Sequence, residues 1–79
     1  MKIKSKEDYI KLLSCIEFED KWKWVSVDED GHVFAHTNKP EKVCGKWDAG
    51  YEHAIRYVMR LNPKIEGIDW QDSLVEINK

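Results

Sequence analysis

The stretch Trp22-Lys23-Trp24-Val25-Ser26-Val27-Asp28, the tip Glu29-Asp30-Gly31 and the return His32-Val33-Phe34-Ala35-His36-Thr37 decide the fold. Two alternating segments rich in β-branched and aromatic residues flank an acidic turn ending in glycine, the pattern of a β-hairpin. A three-residue loop with Gly31 in the left-handed region pairs Asp28 with His32. The register then follows: Val27 opposes Val33, Ser26 opposes Phe34, Val25 opposes Ala35 and Trp24 opposes His36. Because side chains alternate, Val25, Val27, Val33 and Ala35 share an aliphatic face, while Trp22, Trp24, Phe34 and His36 share an aromatic one.

Upstream, Ser5 reads as an N-cap followed by the acidic Glu7 and Asp8, which suit the positive end of a helix dipole. Tyr9, Leu12, Leu13 and Ile16 recur at helical spacing, so a helix is expected from about Lys6 to Cys15. Downstream, Asn38-Lys39-Pro40-Glu41 is a turn, Val43 to Trp47 a short third strand, and Asp48 an N-cap. A second helix is expected from about Ala49 to Leu61, with Tyr51, Ala54, Ile55, Val58 and Leu61 inward. Asn62-Pro63 ends it. The last stretch fits helix or strand, and a turn around Asp69–Asp72 with a short strand at Leu74–Ile77 is preferred. The expectation is a single α+β domain over residues 1–79.

Composition bounds the function. At 79 residues, with 42% hydrophobic and 35% charged residues, the chain has apolar surface enough to fold but little room for an elaborate enclosed active site. Thirteen Lys and Arg against fifteen Asp and Glu lack the basic excess of a duplex binder. No apolar run approaches the roughly 18 residues of a membrane span. Without a disulfide framework or signal-like opening, Cys15 and Cys44 are expected as free thiols in a cytoplasmic protein.

No catalytic motif or cofactor site is read. His32 and His36 have the spacing that aligns two imidazoles on a helix, but on a strand they stand roughly 13 Å apart, too far to share a metal. Activation of Cys44 by His53 or His36 lacks any local motif, and buried apolar thiols are the plainer reading. The acidic tip lacks the later ligands of a calcium loop.

Two binding surfaces remain. The face carrying Trp22, Trp24, Phe34 and His36 is either core beneath a helix or an open protein-binding patch, which a homodimer could also use. The alternative is single-strand nucleic-acid binding by Lys39, Lys42, Lys46 and Trp47, joined by Lys21, Lys23, Trp22 and Trp24, with bases stacking on indoles. Glu17, Glu19, Asp20, Glu29 and Asp30 oppose a phosphate backbone there.

Over Trp22–Gly31, with Val33, Asn38-Lys39-Pro40-Glu41 and Trp47, the sequence resembles small accessory proteins of tailed bacteriophages and prophages. That covers about a third of the chain. The resemblance implies a non-enzymatic protein that binds a host or phage protein in the host-cell cytoplasm. It does not extend to the first helix or beyond Asp48, and it assigns no functional residue.

Overall fold

The computed structural model describes residues 5–50, 54–61 and 69–78. Ser5 caps helix α1, Lys6–Ser14, its hydroxyl accepting from the Asp8 N–H at 3.3 Å. After a turn closed by the Trp22 N–H on the Glu19 carbonyl, β1 (Trp24–Val27) and β2 (His32–His36) form the expected hairpin. All four expected pairings are present, from Trp24 opposite His36 to Val27 opposite Val33. At the tip the Gly31 N–H bonds to the Asp28 carbonyl, and the Asp28 N–H to that of His32, both at 2.9 Å. Gly31 has φ 93°, a conformation that this turn requires and glycine supplies without a steric cost.

Next come β3 (Glu41–Val43) and β4 (Lys46–Asp48), a small hairpin of its own rather than one third strand. Its turn is Cys44-Gly45, with φ 48° and 83°. Positive φ at both central residues is the twist that matches a two-residue hairpin. The two hairpins dock tip to turn, the Glu29 N–H donating to the Gly45 carbonyl at 2.9 Å. A Cβ at Gly45 would lie 2.5 Å from Glu29 Oε2, so glycine also permits the close approach. Asp48 does not cap a helix; its carboxylate accepts from the Gly50 N–H in a local turn.

Over Ile55–Arg60 the second expected helix is instead a strand, β5, antiparallel to β2, and residues 49, 50, 54 and 61 are not helical either. Its remaining positions, 51–53, and the expected stop at Asn62-Pro63 lie outside the described residues. The physical reason is a bulge. Val33 faces Met59 but Phe34 faces Tyr57, leaving Val58 as an extra residue. Val58 and Met59 both pack against the core and Leu61 is buried in it, so the apolar positions lose the period of two and imitate helical spacing.

A 3₁₀ turn, Trp70–Asp72, capped by Asp69, leads to β6 (Val75–Glu76), which pairs with β1 as the terminal strand expected there. The sheet order is β5-β2-β1-β6, antiparallel throughout. Where β6 gives out, Ser73 continues the edge: its buried hydroxyl accepts from the Val27 N–H at 2.8 Å and donates to the Trp70 carbonyl at 2.7 Å. One face of the sheet makes the core, where Val25, Val27, Val33 and Ala35 meet Tyr9 and Leu13 of α1, with Trp22 and Leu61. The fold is α+β with one helix among the described residues, and none of those residues forms a helix long and apolar enough to cross a membrane.

Candidate functional site

The second face of the sheet carries the candidate site. The even positions of β1 and β2 point there, and the bulge in β5 sends Tyr57 and Ile55 to the same side, opposite Phe34 and His36. Phe34 and Tyr57 meet edge to face with centroids 5.6 Å apart, and His32 closes the cluster at 5.7 Å from Tyr57 and 6.4 Å from Phe34. Such contacts orient the rings without covering them. Tyr57 is 54% and Ile55 55% exposed. His32 is fixed in turn by Asp30, whose carboxylate meets its Nδ1 at 2.8 Å and accepts its backbone N–H at 3.1 Å. The backbone bond first, and the imidazole second, hold the Asp30 carboxyl below its ordinary value.

Beside this strip lies a cleft of about 270 Å³, lined by Phe34, His36 and Ile55 from the sheet, Lys46, Trp47 and Asp48 from β4, and Asp28. Trp47 is held at two points, its backbone N–H on Asp28 Oδ1 at 3.0 Å and its indole N–H on the Trp70 carbonyl at 3.1 Å. Burial raises the Asp28 carboxyl above its ordinary value, and the nearby Asp30 charge adds to this. The Trp47 N–H, with His32 and Lys46, acts the other way.

Two of the four residues expected in the aromatic patch are buried. Trp22 is core, 6% exposed, because the Lys23 N–H joins Trp24 in facing His36 across the ladder. Two residues against one reverse the alternation, and Trp22 falls on the side of Val25. His36 is 2% exposed, its Nε2 2.9 Å from the hydroxyl of the fully buried Ser26. Trp24 and Phe34 stay half-buried on the second face. Ile55 and Tyr57 were hidden from sequence reasoning by the helical spacing; the β-branched and aromatic run Ile55-Arg56-Tyr57-Val58 was the signal that could have found them.

The expected basic surface is divided. Lys46 and Trp47 line the cleft together, but in company with Asp28 and Asp48. Lys42 is exposed on β3, whereas Lys39 stands over the Trp24 ring, 5.4 Å from its centroid. Lys21 lies over Trp22, and Lys23 bonds to the Asn78 carbonyl. Cys44 is exposed at its turn and His36 is engaged with Ser26, while His53 lies outside the described residues. No group of three potential metal ligands gathers among the described residues. No family model, curated protein or solved structure matches this chain.

Proposed function

We propose that this chain is a small non-enzymatic protein-binding module whose partner packs on the strip formed by Phe34, Tyr57 and Ile55. The observation that carries the reading is the exposure of Tyr57 and Ile55 beside an oriented aromatic cluster, on a sheet whose other face is already filled. Rigid aromatic side chains give large contact area at low entropic cost and are enriched among residues that dominate binding. The hairpin's resemblance to phage and prophage accessory proteins supports a host or phage protein as that partner, met in the host-cell cytoplasm.

The test compares tagged wild-type chain with Tyr57→Ser in capture from bacterial lysate with and without nuclease treatment, with sedimentation run in parallel. The reading expects a stoichiometric protein that survives nuclease and is lost in Tyr57→Ser while the melt is retained. Self-association lost with Tyr57 would make the partner a second copy. Capture abolished by nuclease would instead favour the single-strand nucleic-acid reading, with Lys46 and Trp47 as the residues to change and a steep salt dependence expected.

A further inference from the structure

The cleft beside the strip has a chemistry distinct from the strip itself. Phe34, Trp47 and Ile55 supply apolar and aromatic wall, and Asp28 and Asp48 supply two carboxylates. Lys46 and His36 also line it, so with the imidazole neutral the lining carries one more negative charge than positive. A neighbouring hollow adds Glu29 and Asp30 on the side of Asp28. Asp28 and Asp48 each accept one backbone N–H, from Trp47 and Gly50, and neither is ion-paired among the described residues. The Asp28 carboxylate therefore carries a desolvation cost that a cationic guest would offset.

Size and position narrow the guest. About 270 Å³ falls below the roughly 300–1,000 Å³ of a typical small-molecule or cofactor pocket, and suits a single long side chain. Phe34 and Ile55 belong to both cleft and strip, so whatever lies on the strip can reach into the cleft without leaving it. A guanidinium matches both walls. It is flat and weakly hydrated, stacks on indole or phenyl faces, and forks onto a carboxylate. The two bonds that hold Trp47 mean that its ring is placed before any guest arrives.

We propose that the Asp28–Trp47–Asp48 cleft receives an arginine side chain of the partner protein, stacked on Trp47 and paired with the carboxylates. This rests on the protein-binding reading of the adjoining strip and names the chemistry that the partner must bring.

The isotope-labelled full chain is titrated with N-acetyl-arginine methylamide and, separately, with the citrulline analogue, which has the same shape and no charge. Saturable shifts of the Trp47 indole and backbone N–H signals are expected with arginine, and binding weaker by about tenfold or more with citrulline. Asp28→Asn retains an oxygen for the Trp47 N–H and should cost a similar factor, as should Asp48→Asn. Lys46→Gln should tighten binding, because it removes the opposing cation. Absence of a saturable shift, an equal response to citrulline, or arginine binding untouched by Asp28→Asn overturns the proposal. The two readings separate: a failed arginine titration leaves capture through Tyr57 standing, and capture indifferent to Tyr57→Ser defeats the strip without altering the titration.

Discussion

The two faces of the four-stranded sheet are made by the same strands, yet they differ in what their side chains meet. On one, Val25, Val27, Val33 and Ala35 are at most 4% exposed and share a cluster with the helix. On the other, Ser26 and His36 are sealed at the centre while Tyr57 and Ile55 stand more than half open at the β5 edge. The small second hairpin accounts for the contrast, because it docks near Asp28 and leaves the β2–β5 side as strip and cleft. Helix α1 covers one side of the sheet, and the second hairpin, with strands of three residues, covers only part of the other.

The comparison is sharpest when one aromatic is removed from each side. Trp22→Ala should destabilise by about 3–5 kcal/mol, the range for emptying a buried aromatic site, whereas Tyr57→Ser should stay within about 1 kcal/mol. Denaturant melts of the two variants measure the contrast, and equal losses would break it. Ser73→Ala comes next. It strands the buried Val27 N–H on the edge that β6 leaves uncovered, at a cost of about 1–3 kcal/mol, checked by the same melts and by faster exchange of the Val27 amide.

Smaller effects concern the second hairpin. Cys44 holds φ 48°, so Cys44→Asn, which tolerates this conformation better, should stabilise by up to about 1 kcal/mol in a thermal melt. Asp28 gives a pH signature. Its carboxyl is raised above 3.8 by burial, so the folded chain keeps the proton to higher pH than the unfolded chain does. That favours folding below pH 3.8, and the contribution is lost as pH rises through the folded value. Asp28→Asn should melt higher than wild type near neutral pH, and the gap should close on acidification below 3.8. A gap that widened in acid would contradict the assignment.

What the sequence disclosed divides along the same line. The first hairpin and its register were legible because period-two alternation and Gly31 agree with each other, and the helix because Ser5 and the Tyr9–Leu13 spacing do. Two departures lie where a single residue breaks a period. An extra residue at Lys23 moved Trp22 into the core, and an extra residue at Val58 gave a strand the spacing of a helix. The β3–β4 turn carries no sequence signal at its first central position, because Cys44 stands where Asn or Asp is usual. A bulge is a property of the paired strands, and single-strand pattern does not display it. The exposed strip draws two of its three residues, Ile55 and Tyr57, from a segment whose spacing predicts a helix, while Lys46 and Trp47 line a cleft with Asp48, their neighbour in sequence, and Asp28, which only the fold brings beside them.

On the proposed function, the β2–β5 side of the sheet, and not the helix side, meets a partner. The most direct measurement places a photo-crosslinking p-benzoylphenylalanine at Tyr57 in one chain and at Ile10, a 44% exposed position on the helix, in another. Irradiated in nuclease-treated lysate, the position-57 chain should give one discrete protein adduct and the position-10 chain none. An adduct at position 10 alone, or the same adduct from both, would contradict the account.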